Sequence, residues 1–303
     1  MAHRAATFIG TVTMDAIALV DAYPAADERV LARDLVTAGG GPAATAAVAA
    51  ARAGIADVRF VGAVGADEAG ERAIADLTDA GIDVSGVRRI EGEPTASSVI
   101  IVDHGSGTRA ICGRPGPRLT LDAEQLALVG DAGWVHVDHV GWPALTGAGL
   151  TPTTTERSRI SVDAGNPIED FSPKGVDLFV PTEAALARMY GDGDLPALLD
   201  AALGAGARTV VATRGGAGAV AATEDGQRVD VPAHRGAVLS TLGAGDVFHG
   251  ALLAAVLRDS AHATALADAV RYATVAAGLS CRALDGRSGI PSHDEIVAHL
   301  PAH

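Results

Sequence analysis

Short apolar runs ended by Gly, Asp or Thr punctuate this chain, and between them lie longer segments whose apolar positions recur at three- and four-residue spacing. Thr7 to Gly10, Val58 to Val64, Trp134 to Val137, Ile160 to Asp163, Leu178 to Val180 and Thr209 to Thr213 read as buried strands. Helical stretches separate many of them, and that alternation predicts an α/β fold built on a mostly parallel central sheet flanked by helices. Four segments break the pattern. Ile17 to Ala22, Arg29 to Thr37, Ser97 to Val102 and Arg109 to Gly113 alternate apolar and polar residues, the last two as a hairpin over His104 to Gly107. They predict a small separate β-sheet made from residues 12–38 and 95–114. Helices are expected over Ala47 to Ala53, stopped by Gly54, over the segment opened by Gly65 to Gly70 and stopped by Gly81, and over Ala273 to Ala283.

Composition refines this only in part. At 303 residues the chain is long enough for one large domain over 1–303, and the small side chains of its many Ala and Gly residues predict closely packed helices. The net charge of −14 argues against a nucleic-acid partner and requires any phosphate ligand to be held by local devices. Every apolar run is soon broken, so no membrane span is expected; Met-Ala-His-Arg leads straight into the first strand, which makes the cytoplasm the default location. Cys112 and Cys281 lie far apart without metal or disulfide spacing, and buried free thiols are expected. Within His136, Asp138 and His139, strand alternation turns His139 away from the other two, so they read as polar groups at a strand end rather than a metal site.

The chemistry concentrates in Ser240-Thr-Leu-Gly-Ala-Gly-Asp-Val-Phe-His-Gly-Ala-Leu252. Gly243, Ala244 and Gly245 allow a tight turn that presents backbone N–H groups, and Val247, Phe248, Ala251, Leu252, Ala255 and Val256 continue at helical spacing. A glycine turn opening a helix binds anions through unpaired N–H groups and the helix dipole. Asp246 at that end is a helix cap on the plain reading and a catalytic carboxylate on the functional one. The whole string resembles the signature of the PfkB, ribokinase-like carbohydrate kinases, close to Asp-Thr-x-Gly-Ala-Gly-Asp-x-Phe-x-Gly. Gly39-Gly40-Gly41-Pro42-Ala43-Ala44, Thr213-Arg214-Gly215-Gly216-Ala217-Gly218 and Gly286-Arg287-Ser288-Gly289-Ile290-Pro291 match further patterns of that family in the family's order.

The resemblance implies a ribokinase-like α/β fold with a β lid, and ATP-dependent phosphorylation of a sugar hydroxyl. It makes Asp246 the general base and Gly243, Ala244 and Gly245 the anion hole. Asp15, read as lying in the loop after the first strand, matches the family's sugar-binding acid, and Gly39, Gly40 and Gly41 form the pocket floor. Thr213, Arg214, Gly215 and Gly218 match the nucleotide loop, with Arg214 as the cation near the ATP tail; Gly278 lies in the Ala-rich helix expected to leave room for adenine. Magnesium is implied with ATP, yet the family's Asn-x-x-Glu has become Pro181-Thr182-Glu183-Ala184-Ala185, leaving Glu183 as the nearby acid acting through water. Ala44 replaces an Asn that grips sugar in many relatives, and Ser240 replaces an Asp associated with potassium binding, so little potassium activation is expected. In motif detail the chain is most similar to the sulfofructose kinase branch, for which Arg29 is a candidate cation. The resemblance also points to a homodimer through the lid. The alternatives are a nucleoside kinase of the same fold, for which five Phe, three Tyr and two Trp offer few stacking partners, and a catalytically silent sugar-binding regulator.

Overall fold

Residues 5–154, 158–258 and 266–301 are described by a computed structural model. The chain opens with β1 (Ala6–Ile9) and passes at once into β2 (Thr13–Val20) and β3 (Asp34–Gly40), which belong to a different sheet. Helix α1 (Pro42–Arg52) returns it to β4 (Val58–Gly65), followed by α2 (Glu68–Asp79) and β5 (Asp83–Ile90). A second excursion makes the hairpin β6 (Ser97–Asp103) and β7 (Arg109–Arg114). Then come α3 (Ala123–Gly130), β8 (Trp134–Val137), α4 (Gly141–Gly147), β9 (Arg159–Ala164), β10 (Leu178–Pro181), α5 (Glu183–Tyr190) and α6 (Leu195–Gly204). The chain finishes with β11 (Thr209–Thr213), a single 3-10 turn at Gly215–Ala217, β12 (Ala219–Thr223), β13 (Arg228–Val231), α7 (Ala244–Arg258), α8 (Leu266–Ser280) and α9 (His293–Ala298).

The large sheet has the order β13-β12-β11-β10-β9-β8-β1-β4-β5, parallel from β5 to β11 and antiparallel at β12 and β13. The small sheet has the order β3-β2-β6-β7, with β2 and β6 parallel. All six strands read as buried runs are present in the large sheet, and the four alternating segments form the small one. Strands β5, β12 and β13 were not anticipated. Asp83, Ser85 and Gly86 make β5 look like a turn, and Ala219 to Ala222 carry low strand propensity, so sheet pairing decides both.

Other boundaries shift for local reasons. Helix α1 starts at Pro42, where the missing proline N–H costs nothing because a helix leaves its first N–H groups unpaired. Asp15 lies within β2, paired opposite Ala38, rather than in the loop before it. Cys281 is buried as expected, whereas Cys112 is exposed on β7.

One feature of the packing positions the site. Ala43, Ala46, Ala47 and Ala50 of α1 are fully buried and lie in one core with Val247, Ala251 and Leu252 of α7. Gly250 sits so close to α1 that a Cβ there would strike the Ala46 carbonyl. Small residues let the two helices approach closely, and the first turns of both, through Pro42 and through Gly245 and Asp246, face one cleft.

Candidate active site

That cleft, about 1010 Å³, opens between the small sheet and the carboxyl ends of the parallel strands. Ligands of open α/β sheets bind at that end. Thr11, Asp15, Gly41, Ser98, Arg109, Asp163, Thr182, Thr213, Gly243, Gly245, Asp246 and His249 are among the residues that line it.

Gly243 has φ 73, and a Cβ there would press against Gly286, so both backbone shape and close approach exclude a side chain. Gly245 by contrast has open space on the side where a Cβ would stand, which leaves room for a ligand. The Ala244 N–H donates to the Thr241 carbonyl at 3.3 Å. Among the described residues the N–H groups of Gly243, Gly245 and Asp246 meet no acceptor. Of the N–H groups at this turn, the ones free to serve as the expected anion hole are therefore those three, with Asp246 in the place expected of Ala244.

Burial lifts the Asp246 carboxyl well above the ordinary carboxylate range, and the nearby Asp163 and Asp138 push in the same direction. Arg109 and Arg287 partly offset this. Asp163, at the end of β9, accepts from the Gly165 N–H at 2.8 Å and lies 3.3 Å from His249 Nε2, one helical turn beyond Asp246. Burial pushes the pKa of His249 down to about 3, so this imidazole is neutral. Asp138 has a structural part: it accepts from the N–H groups of Thr11, Ala43, Val140 and Gly141, tying the β1 loop to the starts of α1 and α4. His136 points away from it in chemistry, paired at 3.0 Å with Ser161 Oγ.

On the other wall, Thr13 Oγ1 donates to Asp15 Oδ2 at 2.9 Å, while Asp15 Oδ1 is buried without a partner. Burial raises the Asp15 pKa, against the opposing effect of hydrogen bonding by Thr13 and Ser98 and of the Arg287 charge. Arg287 Nη2 donates to the Gly40 carbonyl at 2.6 Å and Nε to Thr45 Oγ1 at 3.2 Å. Burial draws the Arg287 pKa down to about 10, against the attraction of Asp76, Asp15 and Asp246. A Cβ on Gly39 would strike the Arg287 guanidinium, and one on Gly40 would strike the Asp15 carboxylate. Gly39 and Gly40 are thus bare to admit two side chains. Of the expected pocket floor, Gly41 lines the cleft, and its φ of 92 with the Thr11 carbonyl alongside excludes a side chain.

Several expected residues stand elsewhere. Arg29 is exposed on the β2–β3 connection, outside the cleft lining. Arg214 pairs with Asp230 of β13 and donates to the Ala217 carbonyl at 3.2 Å; Arg109, whose Nη1 donates to Thr241 Oγ1 at 2.9 Å, is the cation beside the anion-hole loop. Gly215 has φ 55 in the 3-10 turn, Gly218 is bare because the Val231 carbonyl and Ala233 N–H press on it, and Gly278 is bare because His234 does. Thr213 lines the cleft; none of these three glycines does. Glu183 is exposed at the start of α5, and the acid that faces the cleft from that side is Asp163. Arg287 sits inside the quoted Gly286 to Pro291 string, and Asp163 ends a strand that was read correctly, so position at a strand's carboxyl end was the signal for it.

A two-sheet α/β fold with a buried carboxylate beside free N–H donors at a helix start can carry phosphoryl-transfer chemistry. The chain belongs to the pfkB family of carbohydrate kinases: residues 4–293 match the family's model. It is 30% identical over 298 residues to an ATP-dependent ribose-1-phosphate kinase of Halopiger xanaduensis, covering 96% of each chain. Among solved structures, ribokinase from Thermotoga maritima superposes with a TM-score of 0.83 at 22% identity, covering 98% of this chain and 99% of that one. Arabidopsis thaliana ribokinase complexed with ribose and ATP gives 0.81 at 22% identity, with both chains fully covered. The protein is an ATP-dependent sugar kinase.

Proposed function

We propose that this kinase transfers the γ-phosphoryl group of ATP to a primary hydroxyl of its sugar, with Asp246 as general base. The hydroxyl oxygen bonds to the γ-phosphorus, the bond from phosphorus to the β,γ-bridging oxygen breaks, ADP leaves, and the hydroxyl proton passes to Asp246. The N–H groups of Gly243, Gly245 and Asp246, with Arg109, stand where charge grows on the transferred group. Asp15 orients the sugar through its unpartnered Oδ1. Magnesium would arrive with the triphosphate and neutralise its charge. Among the described residues no group of three or more His, Cys, Asp or Glu side chains is arranged to hold a metal, which fits an ion carried mainly by phosphate oxygens.

The observation that carries this reading is that Asp246 and Asp15 face one cleft from opposite walls, with open space beside Gly245. No Phe, Tyr or Trp lines that cleft among the described residues, which disfavours stacking on a nucleobase and so the nucleoside reading. A silent sugar-binding regulator would have no use for a carboxylate held beside free anion-hole donors. The test is a coupled ADP-release assay over aldoses, ketoses, sulfofructose, sugar phosphates and nucleosides. ADP release dependent on a sugar supports the reading; release driven only by nucleosides, or by none of these, overturns it.

A further inference from the structure

Three acids, Asp15, Asp163 and Asp246, line the cleft of a protein whose net charge is −14, a field that repels anions. Arg109, Arg114 and Arg118 line the same cleft; although Asp246 feels the charge of Arg109 and Asp67 that of Arg114, among the described residues none of the three arginines forms a salt bridge. Elsewhere many arginines do so: Arg33 with Asp21, Arg88 with Asp122, Arg89 with Glu71, Arg214 with Asp230 and Arg282 with Glu295. Arg109 is placed at the anion-hole loop by Thr241. Arg114 and Arg118 have no such role in the transfer.

Both side chains are exposed, on a segment whose backbone is held in place. Arg114 Nη2 donates to the Thr95 carbonyl at 3.0 Å, which fixes the guanidinium and leaves its other N–H groups free. Arg118 sits between buried Pro117 and Leu119, after Pro115 and Gly116, where a Cβ would strike Ala96. Proline and close packing hold this segment in one shape. The sheet register adds a scale. Asp15 lies one residue before the Ala16–Val99 pair, level with Ser98, and Ser98 pairs with Gly113. Asp15, Ser98 and Gly113 thus form a row across three strands, about 10 Å end to end at ordinary strand spacing, and Arg114, the next residue along β7, also lines the cleft. That matches the length of a pentose or hexose with one added tetrahedral group.

We infer that the acceptor sugar already carries an anionic group, a phosphate or a sulfonate, and that Arg114 and Arg118 bind it at the end of the cleft away from the transferred phosphoryl. This rests on the sugar-kinase reading above. Guanidinium groups suit such oxyanions because they donate paired hydrogen bonds and stay charged.

The experiment is calorimetric titration without ATP, using matched pairs: ribose with ribose 1-phosphate and with ribose 5-phosphate, fructose with fructose 6-phosphate, and fructose with sulfofructose. At least one anionic member is expected to bind ten-fold or more tightly than its parent, and which one does so separates phosphate from sulfonate. In Arg114→Gln/Arg118→Gln that ratio is expected to fall to about one, with thermal melting checking the fold. Each single variant is expected to lower the ratio in part, and Arg29→Gln, outside the cleft, to leave it unchanged. Equal affinity within every pair in the wild type, or a ratio the folded double variant does not reduce, overturns the inference while sugar phosphorylation stands. A protein that binds and phosphorylates no sugar overturns the kinase reading and this inference together.

Discussion

The role proposed for Asp246 sets two demands against each other: a general base must be ionised, while the burial of Asp246 and its acidic neighbours favour the proton. The raised pKa means that proton uptake begins at a higher pH than for an ordinary carboxylate, so kcat/KM is expected to fall on the acid side with a midpoint well above pH 4. Asp246→Asn is expected to lower turnover by about 10² to 10⁴ while ATP still binds. Steady-state rates across pH check both; an acid limb at the usual carboxylate position, or full turnover in the Asn variant, removes Asp246 from its role. Ser240 is buried, and its Oγ accepts from the Leu242 N–H at 3.1 Å, so no carboxylate is offered to a monovalent cation there. Rates in potassium and in a bulky organic cation at equal ionic strength are expected to agree; several-fold stimulation by potassium contradicts this. The grouping of Asp246 with free N–H donors at a helix start was legible in the sequence because all of them lie within four residues. Arg287 was not, since its partners Thr45 and Gly40 lie more than 240 positions away. Arg214 looked free because its acid, Asp230, belongs to a strand the sequence did not announce.

Among elements, the small sheet was legible because alternation of apolar and polar residues interrupts a βα rhythm, and β6 with β7 was read almost to the residue. What stayed hidden was how it meets the rest of the molecule. Ile111 lines the cleft yet is 51% exposed, so an apolar side chain faces water. Closure of β2, β3, β6 and β7 over a sugar would cover it and exclude water, which otherwise competes as acceptor. Hydrogen exchange is expected to slow over Ile17 to Thr37 and Ser97 to Gly113 when sugar binds. Unchanged exchange at saturation would show that the sheet is a fixed wall.

At the scale of the whole molecule, stability depends on keeping two imidazoles uncharged in the core. Burial pushes His136 and His249 down to about 3, and their rings lie 5.5 Å apart. The unfolded chain takes up these protons from about pH 6.5 downward, so the stability they contribute is present above that pH and is lost as pH falls from there toward 3, about 2 kcal/mol per ring at pH 5. Asp15, Asp163 and Asp246, with raised values, act in the opposite sense: their contribution is present below the ordinary carboxylate pKa and is lost as pH rises through their own. His136→Gln isolates one ring. Its unfolding free energy, measured in urea at pH 7 and pH 5, is expected to change less between the two than that of the wild type, and equal slopes would show that His136 is not the group involved.

The hydrogen bond between Arg287 and Thr45 joins positions 242 residues apart, and this orders events in time. At ordinary rates of synthesis the ribosome needs on the order of ten to fifty seconds to travel that far. Throughout that interval the emerging chain holds Asp15 and two naked glycines ready for a cation that does not yet exist. Asp246, the proposed base, also comes late, in the last fifth of the chain. A product released early carries the strands of the large sheet but lacks α7, which packs against α1 in the core, together with Asp246 and Arg287, so premature termination removes core packing and candidate site at once rather than leaving a slow enzyme.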